Sequence, residues 1–204
     1  MTGTGIETPG TSAPSDWICR FAPLAPAECE VLDVACGTGR HVRYFQNRGH
    51  RVCALDRNAD ALSALAALPG VETLAVDLED GRRWPLERRS FGAVIVTNYL
   101  YRPLLPHIVD SVAPGGVLLY ETFAHGNEAF GKPSNPDFLL SPGELLDAVR
   151  GKLRVVAYED GLVETPRPAA VQRLAAVWRD PMAPPLPLAP SGAPASDPSS
   201  TGRA

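Results

Sequence analysis

Two glycines that follow an apolar run are the residues whose spacing first indicates chemistry. The stretch VLDVACGTGRH, residues 31–41, breaks at Gly37 and Gly39 after what reads as a buried strand. A strand, a glycine turn and a following helix place backbone N–H groups and the positive end of a helix against an anionic group. The pattern therefore predicts a turn that binds an anionic part of a cofactor.

A dinucleotide site is one interpretation of this turn. Its fingerprint is G-x-G-x-x-G followed about 20 residues later by an acid. Val42 stands where the third glycine is required, so an NAD(P)-dependent oxidoreductase is the weaker interpretation. Asp33 lies inside the strand instead, and a buried carboxylate is costly unless it meets donors or a cation. A ligand with an ammonium beside a carboxylate, such as the methionine end of S-adenosylmethionine, fits this acid.

Acids also end the next two predicted strands. Asp56 ends RVCALD, where a carboxylate can accept both hydroxyls of a ribose, and Asp77 ends VETLAVD, where it can accept an adenine amine beside Leu78. A single acid at such a position is as readily a helix or turn cap. Three acids at one edge of a sheet predict a nucleoside crevice.

Five stretches resemble the class I S-adenosylmethionine-dependent methyltransferases, most closely the small bacterial enzymes of the tellurite-resistance and thiopurine type. They are VLDVACGTGRH, ALDRN, AVDLED, FGAVIVTNYL and VAPGGVLLYETF, and the resemblance covers about residues 17–180. It implies a Rossmann-like α/β fold with a seven-stranded, mostly parallel sheet in the order 3-2-1-4-5-7-6, an antiparallel strand 7 and helices on both faces. The cofactor-binding residues that it implies are Asp33, Ala35 in place of the family's usual first glycine, Cys36, Gly37, Gly39, Asp56, Arg57, Asp77, Leu78 and Asn98.

Loops after the fourth and fifth strands are expected to face the methyl acceptor. In TNYLYRP, Tyr99 is a catalytic candidate whose aromatic face favours a sulfonium, and Tyr101 is a substrate candidate. In-line methyl transfer depends mainly on alignment, and a base is needed only where the acceptor is a hydroxyl or an amine. Glu121 is the expected base. His125 and Trp17 complete the expected substrate side.

The segment 120–140 is longer than most loops within a compact domain, which predicts a lid or binding loop. A small-molecule acceptor is the leading prediction. An RNA methyltransferase is an alternative, since GRRWPLERRS, residues 81–90, has four arginines around a tryptophan, although a solvated connector is the simpler interpretation. A non-catalytic domain that binds S-adenosylmethionine is the third alternative.

Strand-length apolar runs alternate with amphipathic segments between these motifs, which is typical of an α/β domain. Seven runs qualify as strands, and the last two are separated by so short a connection that a terminal hairpin is predicted. Helices are predicted for the amphipathic segments, among them RPLLPHIVDSVAPGG and SPGELLDAVRG, in which Ser141 and Glu144 form a capping box.

Composition bounds the remaining questions. Residues 1–14 and 181–204 are rich in Gly, Ser, Thr, Ala and Pro and are predicted to be disordered tails around a methyltransferase domain at 15–180. The formal net charge of -4 gives no strong nucleic-acid signal, and no apolar stretch predicts a membrane span or a signal peptide, so a cytoplasmic protein is expected. The four cysteines predict reduced thiols, no metal is expected, and the oligomeric state stays open.

Overall fold

A seven-stranded sheet forms the centre of the structure, a computed structural model that describes residues 13–165 and 167–178. The strand order is β3-β2-β1-β4-β5-β7-β6, and β7 runs antiparallel to both of its neighbours. This confirms the predicted fold class. The strands are β1 (Glu30–Val34), β2 (Arg51–Asp56), β3 (Val71–Ala75), β4 (Phe91–Thr97), β5 (Val112–Phe123), β6 (Leu153–Val163) and β7 (Ala169–Trp178).

Five helices cover the two faces of the sheet. They are α1 (Asp16–Phe21), α2 (Arg40–Gln46), α3 (Ala59–Ala66), α4 (Leu105–Asp110) and α5 (Glu144–Val149). Because side chains alternate along a strand, Leu32 and Val34 of β1 pack on the α4 and α5 side, whereas Val31 packs on the α1, α2 and α3 side. Burial on both faces explains why β1 and β4 are apolar without alternation.

The strand register brings the functional segments to one edge. Val34 of β1 lies opposite Leu55 of β2 and Val96 of β4, so these three strands end at the same level. Thr97 lies opposite Glu121 of β5 in turn. The turns and loops that leave the carboxyl ends of β1, β2, β4 and β5 therefore lie side by side, at the edge where α/β sheets bind ligands.

Two predicted helices are shorter in the structure. The segment RPLLPHIVDSVAPGG contains a 3₁₀ turn, Arg102–Leu104, followed by α4, and residues 114–116 belong to β5 rather than to a turn. The other, α5, begins at Glu144, with Gly143 at φ +75° as its N-cap, so Ser141 is not the cap. Half of the predicted capping box remains, since Ser141 N–H donates to Glu144 Oε2 at 2.8 Å.

Of the predicted lid, residues 120–140, the first four belong to β5, and residues 124–140 form a folded segment after that strand. It contains two 3₁₀ turns, Asn127–Ala129 and Pro136–Phe138. A bridge between Ala124 and Leu140 closes its base, and the buried Asn127 side chain donates to Pro133 O at 2.8 Å. The segment is thus held by its own hydrogen bonds beside the carboxyl edge of the sheet.

The predicted tails, 1–14 and 181–204, lie outside the described residues except for Ala13 and Pro14. Within the part of the chain that the structure describes, no helix has the length and apolar character needed to cross a membrane. All four cysteines are free thiols in the structure, and Cys36 and Cys53 are buried.

Candidate functional site

The turn after β1 adopts the left-handed backbone conformation that its glycines predict. Gly37 has φ +57° and Gly39 has φ +80°. A Cβ atom at Gly39 would lie 2.5 Å from Leu65 Cδ2, so helix packing requires a glycine there, whereas a Cβ at Gly37 would meet no atom within 4 Å. Ala35, in the position of the family's first glycine, also has positive φ, +53°. Open space at Gly37 leaves room for a ligand to approach the backbone.

Asp33 lies at the base of this turn and is 1% exposed. Its Oδ2 atom makes no hydrogen bond with any residue that the structure describes. Burial raises the pKa of Asp33 to about 7, although the charge of Arg40 acts to lower it. A buried carboxylate oxygen without a donor is costly, and a ligand cation or N–H group would satisfy it.

Asp56, at the end of β2, is held by two backbone donors. Gly37 N–H donates to its Oδ2 at 2.7 Å, and Asn58 N–H donates to its Oδ1 at 2.8 Å. Asn58 in turn caps α3, because its side chain accepts from Ala61 N–H at 3.1 Å. The carboxylate is therefore oriented before any ligand arrives, and each oxygen keeps a lone pair for a further donor.

A cavity of about 230 Å³, called the first cavity below, brings several of the predicted residues together. Asp77 Oδ1 accepts from Glu79 N–H at 2.9 Å, which fixes the acid in its turn. The walls combine acids with apolar side chains, as a nucleoside requires. They are formed by Ala35, Asp56, Arg57, Val76, Asp77, Leu78, Glu79, Tyr99 and Phe138.

Tyr99 contributes an aromatic wall and a phenol to the first cavity. Its hydroxyl is buried and has no hydrogen-bond partner among the described residues. Burial, followed by the charge of Glu79, raises the pKa of Tyr99, so the hydroxyl stays protonated and can donate a hydrogen bond to a ligand. Asn98 precedes it with φ +54°, and its backbone N–H donates to Glu121 O at 2.9 Å, while its side chain is exposed.

Glu121 is part of a buried ion pair rather than a free carboxylate. It lies opposite Arg173 in the β5–β7 register, with Oε2 2.6 Å from Arg173 Nε. Its Oε1 accepts from Ser15 Oγ at 3.0 Å. Oε1 thus has a hydrogen bond, whereas Oε2 has an ion-pair contact but no hydrogen bond with any residue that the structure describes. These contacts support an anchoring role for Glu121, and proton abstraction by this residue stays a prediction.

A second cavity, of about 330 Å³, lies beside this ion pair. Arg40 contributes a second guanidinium, and because Ala35 lines the first cavity and Arg40 the second, both cavities border the same turn. Its walls are Ala13, Pro14, Ser15, Asp16, Arg40, Glu121, Thr165 and Arg173.

His41 joins the residues around the second cavity to β4. It is 2% exposed, and burial lowers its pKa to about 3, so the imidazole is neutral at physiological pH. Its Nε2 atom accepts from Ser15 N–H at 3.1 Å, which places the proton on Nδ1, 3.5 Å from Thr97 Oγ1. The neutral ring therefore connects the start of α1 to the end of β4.

The three residues expected on the substrate side line neither cavity. Trp17 is 2% exposed and packs in the core, where its indole N–H donates to Leu174 O at 3.2 Å. Tyr101 lines a separate cavity with His107. His125 is exposed and is held in the segment 124–140 by its backbone N–H, which donates to Leu140 O. The structure thus separates these residues from both cavities.

The connector 81–90 does not present its tryptophan for base stacking. Trp84 is 5% exposed and stacks on His107, with ring centroids 6.2 Å apart. Arg89 pairs with Glu30 and Glu72, each at 2.8 Å. The structure thus agrees with the simpler interpretation of a connector.

In the described ranges, 13–165 and 167–178, no His, Cys, Asp or Glu side chains cluster to form a metal site.

Several residues of these cavities could not be identified by local sequence patterns. Ser15 and Arg173 meet Glu121, and His41 meets Ser15, only through contacts between distant segments. Phe138 lines the first cavity from the segment 124–140, which follows β5, whereas the other lining residues lie at or after the ends of β1 to β4. The only sequence signal for Phe138 was the unusual length of that segment.

Comparisons with known proteins agree with this architecture. Residues 31–116 match the family model described as a methyltransferase domain. No curated protein is significantly similar to the chain in sequence.

Among solved structures, TehB from Haemophilus influenzae has a TM-score of 0.65 at 18% identity, covering 83% of this chain and 64% of that chain. The N-methyltransferase NodS from Bradyrhizobium japonicum has a TM-score of 0.61 at 13% identity, covering 79% and 94%. The glycopeptide N-methyltransferase MtfA, complexed with S-adenosyl-L-homocysteine, has a TM-score of 0.57 at 20% identity, covering 82% and 91%. At these identities the likeness shows a shared fold.

Proposed function

We propose that this chain is a class I S-adenosylmethionine-dependent methyltransferase and that it methylates a small molecule bound in the second cavity, beside the glycine turn. The observation that carries the proposal is the arrangement of two cavities on one turn, with Ala35 on the first and Arg40 on the second. A group held by the turn is accessible from both sides.

The described residues suit S-adenosylmethionine at the first cavity and the turn. Asp56 would accept the ribose hydroxyls, because each of its oxygens keeps a free lone pair. Asp77 would accept the adenine amine, with Leu78 against the base. The buried Oδ2 of Asp33 lacks a donor, and open space at Gly37 allows close backbone approach, so the methionine end fits here.

S-adenosylmethionine, when bound, supplies a methyl group activated by a sulfonium. The chain's own contribution is to align and enclose the reactants, which accounts for much of the rate of a displacement. Two buried groups near the second cavity already have partners within the protein: Glu121 Oε1 accepts from Ser15 Oγ and its Oε2 faces Arg173, whereas His41 Nε2 accepts from Ser15 N–H. These contacts support an acceptor that binds with a free lone pair, such as a thiolate or a neutral amine, and that loses any remaining proton after the transfer.

A small acceptor is supported by the volume of the second cavity and by the names of two structural neighbours. Its volume of about 330 Å³ falls in the range of small-molecule sites. Two of the structural neighbours are N-methyltransferases, one of them acting on a glycopeptide, which supports a search among amines first. RNA is the disfavoured acceptor because Trp84 is buried. Cytoplasmic location remains a prediction, for which cell fractionation is the test.

Isothermal titration with S-adenosylmethionine and S-adenosyl-L-homocysteine tests the cofactor. We expect both to bind with one site per chain. If neither ligand binds, the cofactor assignment is overturned. Binding that Asp56→Ala leaves unchanged would show that the cofactor occupies another place on the chain.

Incubation with cofactor labelled in the methyl group tests the acceptor. A panel of amines, thiols, oxyanions and RNA should give transfer to a small molecule, and Arg40→Gln should raise the KM for that molecule. Transfer to RNA alone would overturn the acceptor class. Tight cofactor binding with no transfer to any member of a broad panel would favour a non-catalytic binding domain.

A further inference from the structure

We infer that Phe138 packs against the adenine end of the cofactor and that Arg102 is the positioning residue that holds it there. The inference rests on the proposed location of the nucleoside in the first cavity. It adds an apolar contact from the segment 124–140 to a site whose other walls come from β1 to β4.

Phe138 is a large apolar side chain that the chain itself leaves uncovered. It is 44% exposed and lines the first cavity with Leu78 and Tyr99. Acids stand elsewhere in the same cavity, at Asp56 and Asp77. An aromatic ring at the rim of a cavity gains burial and ring-packing energy when a flat base occupies the cavity.

Arg102 fixes the short turn that carries Phe138. Its side chain donates to Asp137 O and to Leu139 O, each at 2.8 Å, so both neighbours of Phe138 are held by one guanidinium. The same group forms a two-point pair with Glu144, through Nε to Oε1 at 2.7 Å and Nη2 to Oε2 at 2.9 Å. Lysine has no planar fork and could not reproduce this set of bonds.

Arg102 also connects the two aromatic walls of the cavity. It follows Tyr99 closely in the loop after β4, and the backbone carbonyl of Tyr99 accepts from Tyr120 Oη at 2.9 Å. Glu144, its acidic partner, begins α5 and also accepts from Ser141 N–H. The loop after β4, the turn with Phe138 and the start of α5 are thus held in one hydrogen-bonded group, which holds Phe138 at the wall of the first cavity before a ligand binds.

Phe130 provides a matched control for Phe138. It belongs to the same segment 124–140, has a similar exposure of 46%, and is absent from the walls of both cavities. Phe138→Ala and Phe130→Ala remove the same side chain from equally exposed positions. Any difference in ligand affinity therefore reports the position of the ring.

Dissociation constants for S-adenosyl-L-homocysteine and for 5′-methylthioadenosine, measured by calorimetry, test the role of Phe138. We expect Phe138→Ala to weaken both ligands by the same factor, roughly tenfold, because both carry adenine. Phe130→Ala should change neither by more than about twofold. Equal effects of the two substitutions, or unchanged affinity in Phe138→Ala, would overturn the inference while wild-type binding of the homocysteine ligand still supported the proposed function. If the wild type does not bind S-adenosyl-L-homocysteine, the proposed function is overturned instead.

A double-mutant cycle tests the positioning role of Arg102. Arg102→Gln should weaken 5′-methylthioadenosine binding about as much as Phe138→Ala, Arg102→Lys should recover only part of the affinity, and Arg102→Gln added to Phe138→Ala should cost less than about twofold more. Additive losses would show that Arg102 acts on something other than Phe138. If Arg102→Gln does not fold, Glu144→Gln, which leaves the bonds to Asp137 O and Leu139 O in place, gives the same cycle with a milder loss. An additive result there also contradicts the role.

Discussion

The backbone N–H of Gly37 donates to Asp56 Oδ2 at 2.7 Å, which connects the glycine turn after β1 directly to the acid that ends β2. Asn58 N–H holds the other carboxylate oxygen at 2.8 Å. A ligand that bonds to Asp56 therefore meets a carboxylate whose orientation the backbone has already set. The entropy of ordering this side chain is spent in folding rather than in binding.

Asp56→Asn should weaken binding of S-adenosyl-L-homocysteine by about 10- to 100-fold. An amide has one acceptor oxygen, so it cannot keep both backbone N–H bonds and also accept two ribose hydroxyls with a negative charge. Calorimetric titration measures the loss. Asp60→Asn, an exposed acid in the first turn of α3, is the control and should bind like the wild type. Similar affinities of the two variants would place the ribose elsewhere.

The affinity for S-adenosyl-L-homocysteine should depend on pH through Asp33. Its pKa is raised to about 7, mainly by burial, so below pH 7 the carboxyl is largely protonated. A ligand ammonium prefers the carboxylate, and binding must then release a proton. We expect affinity to fall by up to about tenfold per pH unit below 7 and to level off above it. Titration between pH 5.5 and 8 measures this slope.

Asp33→Asn is the variant that checks the source of the slope. It should remove the pH dependence, because His41, with its pKa near 3, does not titrate in the same range. In the ligand-free protein, the same pKa shift makes the free energy of unfolding change with pH in the direction opposite to ligand affinity. Between about pH 4 and 7 the folded chain holds the Asp33 proton more tightly than the unfolded chain, so this group's contribution to the free energy of unfolding falls as pH rises. A slope that persists in Asp33→Asn would assign the effect to another group.

Glu121→Gln should lower the free energy of unfolding and leave the pH profile of the turnover rate unchanged. The substitution removes one partner of a buried ion pair and leaves Arg173 beside a neutral amide, so we expect the free energy of unfolding to fall by about 2 kcal/mol or more. Glu159→Gln removes the other acid near Arg173, 3.4 Å away and half exposed, and should cost about 0.5 kcal/mol or less. Urea unfolding of both variants measures the difference.

Activity distinguishes anchoring from proton abstraction in the same variant. With an acceptor found by the labelled-cofactor screen, the pH profile of the turnover rate for Glu121→Gln should keep the wild-type shape at temperatures where the variant is folded. If turnover instead slows by about two orders of magnitude or more while stability is unchanged, Glu121 is the base after all.

Patterns along the chain predicted the elements of the fold, and the family resemblance implied their order. Apolar runs and the short connection between the last two strands predicted seven strands that end in a hairpin, whereas the resemblance implied the strand order and the antiparallel β7, and the structure confirms both. Asp56 and Asp77 lie on one cavity because parallel strands end at one edge, which the strand pattern alone implies. Periodicity and strand ends are local properties, and they transfer reliably to three dimensions.

Contacts between distant segments were not readable in this way. The partner of Glu121 is Arg173, which reaches it through the β5–β7 register, and no local pattern specifies that pair. The strand-end position of Glu121 predicted a base, but it gave no sign of the ion pair with Arg173 or of the hydrogen bond from Ser15. The family resemblance placed Trp17 on the substrate side, whereas in the structure its side chain packs in the core. Polar pairing and burial are properties of the assembled chain.

The two glycines of the turn should respond differently to alanine. Gly39→Ala brings a Cβ to 2.5 Å from Leu65 Cδ2, a fully buried side chain, and also strains a backbone at φ +80°, so we expect a loss of about 2 to 4 kcal/mol in the free energy of unfolding. Gly37→Ala meets no atom and carries only the strain of φ +57°, about 1 kcal/mol. Its methyl group lies in the space proposed for the ligand, so affinity for S-adenosyl-L-homocysteine should fall at least tenfold. Urea unfolding and calorimetry on both variants separate the effects. Wild-type affinity in Gly37→Ala would show that the ligand does not approach the turn at this residue.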